Sequence, residues 1–178
     1  ASSGVVTFAS TPDFETPTDS NANNTYIITV TITDSGGLTN AQTITVTVTN
    51  VNEVPSITSN GAGSTASISF AENNTSSVTT ITSSDVDAGD TATYSISGTD
   101  VDDFSIDAST GLLTFTTAPN FETPTDSGTD NIYIVIVTVT DSVGLTDTQT
   151  LTVTVTGVND NYPSITSNGA GSTASISF

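Results

Sequence analysis

The groups in this sequence that can do chemistry are almost all oxygen atoms. Nineteen Asp and Glu carboxylates stand against no Lys, Arg, His or Cys, giving a formal net charge of −19. Many of the acids recur at short spacings beside turn residues. These are Asp13 and Glu15 in DFE, Asn52 and Glu53 in VNEVP, Glu72 in FAEN, and Asp85 and Asp87 in SDVDAGD. Asn120 and Glu122 in NFE, Asp141 ending VTVTD, and Asn159, Asp160 and Asn161 in VNDN complete the set. Two carboxylates held about 4 Å apart repel by roughly 4 kcal/mol at an effective dielectric near 20. A fold that gathers them is penalised unless a divalent cation bridges them. Calcium suits such a group because it takes six to eight oxygens in tolerant geometry, and Asn side chains and backbone carbonyls complete the shell. Magnesium demands a tighter octahedron, and zinc prefers nitrogen or sulfur, which no side chain here offers. Catalysis would have to rest on a carboxylate pair alone, set among Gly and Asn with no aromatic platform for a sugar. No enzyme is expected.

The same composition limits the partners. Nucleic acid requires a basic footprint to displace counterions, and anionic lipid requires basic residues, so neither is an expected partner. No run of eighteen apolar residues suggests a membrane span in this segment. The absence of Cys excludes a disulfide scaffold. Hydrophobic residues make up 34 % of the chain, concentrated in alternating strands, so acidity need not mean disorder.

An internal repeat organises the elements that must position the acids. PDFETPTDS at Pro12–Ser20 returns as PNFETPTDS at Pro119–Ser127, and ASSGVVTF at residue 1 returns as ASTGLLTF at residue 108, both offset by 107. PSITSNGAGSTASISF at 55–70 returns unchanged at 163–178, offset by 108. A period of this size is a whole domain. The expected division is the C-terminal half of one repeat at 1–53, a complete repeat at 54–161, and the opening strand region of a third at 162–178. The chain is expected to be cut from something longer. Period-two alternation predicts strands at 25–33, 43–49, 132–140 and 149–156, and shorter ones at 5–8, 92–97, 104–106 and 112–116. In 132–140 the inward set is Tyr133, Val135, Val137 and Val139, matched by Tyr26, Ile28, Val30 and Ile32 in the earlier copy. Asn60-Gly61 and Asn168-Gly169 mark tight turns. About seven short strands per hundred residues, with no helical apolar period, predict an all-β, immunoglobulin-like Greek-key sandwich repeated in tandem. Asp19, Asp100, Asp102, Asp103, Asp126, Asp130 and Asp147 read as solvated charge, and Asp90 as either surface or site.

Taken together, these motifs resemble the cadherin family, and their order along the whole chain is the family's order. Glu72 matches its first Glu, Asp85 and Asp87 its DxD, and FSIDASTGLLTF its F-x-I-D-x-x-T-G-x-I pattern. Asp13-Phe14-Glu15 matches its D-x-E, whose first acid is replaced by Asn120 in the second copy. Asp141 ends the Tyr133 strand, and Val158 to Pro163 matches the linker, with Gly157 in place of its leading Asp. The resemblance implies calcium between consecutive repeats, as in bacterial calcium-binding surface adhesins. At the first junction Asp13, Glu15, Asn52 and Glu53 would meet Asp85, Asp87 and Asp141. At the second, Glu72, Asn120, Glu122, Asn159, Asp160 and Asn161 would face a following repeat. NVNEVP is one residue short of the linker pattern, which implies fewer ions at the first junction. Asp34 should belong to a junction above the chain and is expected to be an unpartnered surface acid.

The expected role is a structural or adhesive extracellular module, in which calcium rigidifies a tandem-repeat surface protein. Its partners would be calcium and neighbouring repeats. Two alternatives are a filament subunit assembled by strand complementation and a carbohydrate-binding module that uses calcium as a sugar bridge.

Overall fold

In the computed structural model residues 4–163 are described, so the expected Asn168-Gly169 turn and most of the 162–178 strand region lie outside the described residues. The first described elements form a hairpin, β1 (Thr25–Thr33) and β2 (Thr39–Thr47), paired antiparallel from Thr25↔Thr47 to Thr33↔Thr39. There follow β3 (Ser56–Ile57), β4 (Thr65–Ala71), β5 (Thr79–Thr80), β6 (Ser83–Ser84) and β7 (Thr93–Ser97). A single 3-10 turn at Val101–Asp103 leads into β8 (Phe104–Ile106), β9 (Leu112–Phe115), β10 (Ile132–Thr140) and β11 (Thr146–Thr156).

From β3 onward the strands make an all-β Greek-key sandwich. One layer has the order β4-β11-β10-β7, with β4 parallel to β11 and the other pairs antiparallel. The opposing layer is built from β5-β9-β8 and β3-β6, joined through the 79–84 segment at Ile81 and Thr82. Alternation along β10 buries Tyr133, Val135, Val137 and Val139 completely, and β11 adds Leu151, Val153 and Val155 from its own inward face. Ile57, Ile81, Phe104 and Leu113 close the core from the second layer. Burying side chains of this size is worth roughly 1.5–3 kcal/mol each, which is how so acidic a chain folds. In β1 the corresponding residues are only half-covered, and Ile32 is 67 % exposed, because β1 and β2 have no facing layer among the described residues.

Two strands begin earlier than their apolar pattern. β2 starts at Thr39 rather than Thr43, and β11 at Thr146 rather than Gln149. In each case an Asp closes the preceding turn and sets the register, so backbone pairing runs through polar side chains. Asp34 Oδ1 accepts the N–H groups of Gly36 (2.8 Å) and Leu38 (2.9 Å). Asp141 Oδ1 accepts those of Val143 (2.9 Å), Gly144 and Leu145 (2.7 Å). Asp34 is therefore a turn-closing acid and not an idle one. The strand expected at 5–8 does not form. Its counterpart β9 lies between β5 and β8, and no such neighbours flank residues 5–8 among the described residues.

Several acids expected to be solvated are instead structural, among them Asp19, which accepts the Asn23 (3.0 Å) and Asn24 (3.1 Å) N–H groups as its counterpart Asp126 does for Asp130 and Asn131. Asp126 is 2 % exposed and accepts the N–H groups of Asp130 and Asn131, both at 3.0 Å. Asp100 is 5 % exposed and ties Ser127 N–H (2.7 Å) to Ile134 N–H (2.6 Å). Asp147 accepts the Ile57 N–H at 2.8 Å and so anchors β3. The expected Asn60-Gly61 turn is present, with φ of 52° and 86° and an Ala62 N–H to Ser59 carbonyl bond of 3.0 Å. Gly111 is equally specific: its φ is 70°, and a Cβ there would run into the Ile81 carbonyl oxygen.

Two outcomes follow for stability in denaturant. Gly111→Ala lowers it by about 1–3 kcal/mol, because left-handed strain adds to a backbone clash. Asp126→Ala costs about 2 kcal/mol by removing the buried acceptor of two turn N–H groups, whereas Asp102→Ala, on an exposed turn, stays within about 0.5 kcal/mol. Equal midpoints for the Asp126 and Asp102 variants would refute the structural role of Asp126.

Candidate metal centres

Three acidic groups, each with ligand oxygens within 4.8 Å of one another, are present among the described residues: Glu15–Glu53–Asp87, Asp85–Asp90–Asp141 and Glu72–Glu122–Asp160. The first two lie where residues 4–53 meet the β3–β11 sandwich. Glu15 comes from the DFE turn and Glu53 from the segment leading to β3. Asp87 comes from the turn after β6. The arrangement is held by amides. Asn50 Nδ2 donates to Asp87 Oδ1 (2.6 Å), the Glu53 N–H to Asp87 Oδ2 (2.8 Å), and Asn52 Nδ2 to Asp141 Oδ2 (2.7 Å). Loss of solvent raises the Glu53 carboxyl above its ordinary value, and the charges of Glu15, Asp87, Asp13 and Asp85 push it further the same way. Asp13 stands beside this group, with its Oδ1 closing its own turn on the N–H groups of Glu15 and Thr16 at 3.0 Å.

The Asp85–Asp90–Asp141 group lines a cleft of about 100 Å³ with Pro55, Ser83, Thr91 and Ala92. Asp85 Oδ1 is engaged by the Asp87 N–H (2.9 Å), but Oδ2 is buried without a hydrogen-bond partner. A buried carboxylate oxygen in that state carries the full cost of desolvation. Burial works against charge on Asp141 too, yet hydrogen bonds from Asn52 and from the Leu145, Gly144 and Val143 N–H groups outweigh it and lower its pKa. Ser142 holds Asp90 below its ordinary value, its N–H lying 3.0 Å from Oδ1, with a smaller contribution from Thr91. Donors thus favour the charged forms of Asp90 and Asp141, and oxygens of all three acids converge.

At the far end of the sandwich, Glu72 is 3 % exposed at the end of β4. It accepts the Phe121 N–H (2.9 Å) and the Val158 N–H (2.6 Å), which lower its pKa. Glu122, beside it, goes the other way. A hydrogen bond to its own N–H favours its charged form, but solvent loss and the neighbouring charges of Glu72 and Asp160 overcome this and raise it. Asn73 Nδ2 donates to Asp160 Oδ2 at 2.7 Å.

The residues singled out in the sequence therefore divide. Glu15, Glu53 and Asp87 come together, as do Asp85 and Asp141, and as do Glu72, Glu122 and Asp160. Asn52 reaches Asp141, while Asn120 closes a turn through the Thr123 N–H at 2.9 Å. Asn159 and Asn161 are exposed on either side of Asp160. Three participants escaped the sequence reading or were left open by it: Asp90, Asn50 and Asn73. Asp90 is the third acid of SDVDAGD, and Asn50 occupies the leading position of NVNE, so both lay inside motifs already marked. Nothing in FAEN distinguishes Asn73 from Asn74.

The ligand chemistry offered is wholly oxygen, and the unpartnered Asp85 oxygen in a cleft of acids fits a hard divalent cation. Comparison with known proteins leads to one family. The extracellular domain of protocadherin gamma-B4 superposes with a TM-score of 0.58 at 26 % identity, over 82 % of this chain and 23 % of that one. Mouse cadherin-23 EC22-24 gives 0.55 at 26 % identity, over 80 % and 45 %. The protocadherin gamma-B7 EC3-6 cis-dimer structure gives 0.59 at 25 % identity, over 85 % and 39 %. The chain thus spans less than half the length of each of these relatives. No curated protein sequence matches. The cadherin-domain pattern matches residues 66–156, just over half of the chain, and this protein belongs to the cadherin-domain family, whose members are extracellular adhesion modules and not enzymes.

Proposed function

We propose that this chain is a calcium-dependent structural segment of an extracellular tandem-repeat surface protein. On this reading calcium fixes one cadherin-like repeat against the next, with repeat boundaries at 1–53, 54–161 and 162–178. The observation that carries it is the buried, unpartnered Asp85 Oδ2 in the cleft shared with Asp90 and Asp141. With no Lys, Arg or His in the chain, no side chain can neutralise that oxygen.

When bound, calcium supplies positive charge to carboxylates that otherwise repel. Asp85, Asp90 and Asp141 would hold one ion, and Glu15, Glu53 and Asp87 another. Asp13 and Asn52 stand beside these two groups. Glu72, Glu122 and Asp160 would serve the following boundary, with Asn120, Asn159 and Asn161 close by in sequence. Residues on both sides of residue 54 contribute, so charge neutralisation there also restrains the linker. Asn50 and Asn52 already bridge to Asp87 and Asp141, so the carboxylates are oriented before an ion arrives and less ordering entropy is lost on binding.

Isothermal titration of the chain with calcium is expected to give dissociation constants of about 0.1–1 mM, the range of extracellular modules. Asp85→Asn should weaken the first-junction site by about tenfold through loss of ligand charge. Small-angle scattering should give a longer, narrower distribution of end-to-end distances with calcium than with chelator. Unchanged scattering would sink the rigidifying role, and no heat at millimolar calcium would sink the binding.

The shifted carboxyls set a pH signature in chelator. Glu53 and Glu122 are raised, so their folded forms bind protons first and stability climbs as pH falls from neutral through their titration. Glu72 and Asp141 are lowered, so their contribution is present above the unfolded value and is lost as pH falls further through the folded one. Thermal midpoints should therefore pass through a maximum on the acid side of neutral, and the added stability from calcium should shrink as that maximum is approached. A midpoint falling monotonically from neutral pH would contradict this assignment.

A further inference from the structure

Two asparagines, Asn24 and Asn131, make the same set of contacts in the two copies of the repeat, and each holds the residue next to an acid of a candidate metal centre. Both sit in left-handed backbone, at φ of 62° and 66°, immediately before β1 and β10. Their N–H groups donate to Asp19 Oδ1 (3.1 Å) and Asp126 Oδ1 (3.0 Å), and their carbonyls accept the Val48 and Val155 N–H groups, both at 2.9 Å. Their Nδ2 groups reach back ten residues, to the Phe14 carbonyl (2.8 Å) and the Phe121 carbonyl (3.0 Å). Tyr26 and Tyr133 fasten the same segments a little further on, their hydroxyls accepting the N–H groups of Thr18 and Thr125, both at 3.2 Å. The intervening loops differ, Asn21-Ala22-Asn23 against Gly128-Thr129-Asp130, so the common geometry does not come from a common loop sequence. Both Oδ1 atoms are buried without a hydrogen-bond partner. An unmet buried oxygen costs free energy, and glycine would serve the left-handed backbone without it. The amide is explained by the carbonyl that its Nδ2 holds.

Glu15 and Glu122 directly follow the two phenylalanines, and each belongs to an acidic group. Phe121 is gripped from both sides, its N–H by Glu72 Oε2 and its carbonyl by Asn131. We infer that Asn24 and Asn131 are positioning residues for calcium, an inference that rests on the calcium reading above. Asn24 sets where Glu15 stands against Glu53 and Asp87, and Asn131 sets where Glu122 stands against Glu72 and Asp160. Groups that orient a ligand from behind are commonly worth roughly 10- to 100-fold in metal affinity.

Asn24→Gly and Asn131→Gly keep the left-handed backbone and remove the amide donor. Calcium titration followed through amide NMR shifts reads the two groups separately, by the Glu53 N–H bonded to Asp87 and the Val158 N–H bonded to Glu72. Asn131→Gly should weaken binding at the Glu72–Glu122–Asp160 group about tenfold and leave the other unchanged, and Asn24→Gly should do the reverse. In chelator, hydrogen exchange should quicken at Phe121 and Thr123 in Asn131→Gly, and at Glu15 and Thr16 in Asn24→Gly, by more than in the core strands. Equal weakening at both groups, in step with lost stability, would reduce the asparagines to a structural role and overturn the inference. So would affinities that neither variant changes. An unsubstituted chain that takes up no calcium would overturn the calcium reading itself, and this inference with it.

Discussion

Everything in this molecule is arranged around charge that has no internal counterpart. Carboxylates are gathered at both ends of a sandwich from a chain lacking any basic side chain. The fold copes in two ways. Most acids at turns are solvated by backbone N–H groups, as with Asp100, Asp126 and Asp141, where fixed dipoles stand in for water. The remaining oxygens converge, and there N–H donors run out. Asp85 Oδ2 marks that limit: it is buried without a hydrogen-bond partner beside Asp90 and Asp141.

The apolar core is what makes this charge tolerable. Two layers bury Tyr133, Val135, Val137, Val139, Leu151, Val153 and Val155 nearly completely, and their burial opposes repulsion that is confined to the strand ends. Separation of the two is geometric. Alternation along each strand sends apolar groups inward, while turns collect most acids at the poles; the acids that are buried, Glu72, Asp100, Asp126 and Asp141, each accept backbone N–H groups.

Apart from the strand expected at 5–8, sequence reasoning failed mainly on acids. Asp100 and Asp126 are indistinguishable by type from Asp102, yet the first two are buried and the last is exposed. Asp126 closes its own turn on the N–H groups of Asp130 and Asn131, whereas for Asp100 the difference depends on N–H groups 27 and 34 residues away. The same is true of Asp90 and Asn73, whose partners Ser142 and Asp160 lie 52 and 87 residues distant. Strand limits erred for a related reason, since an Asp-closed turn commits the next residues to pairing whatever their polarity.

By itself the sequence determined the all-β class, the inward faces of the long strands, the internal repeat and the exclusion of basic, thiol and imidazole chemistry. Each of these is a matter of local periodicity or of composition, and neither requires knowledge of distant contacts. Only the tertiary structure decided which acids converge and which amides orient them. Those outcomes depend on residues far apart in the chain being brought together by sheet pairing, and one-dimensional spacing does not encode the distances between them.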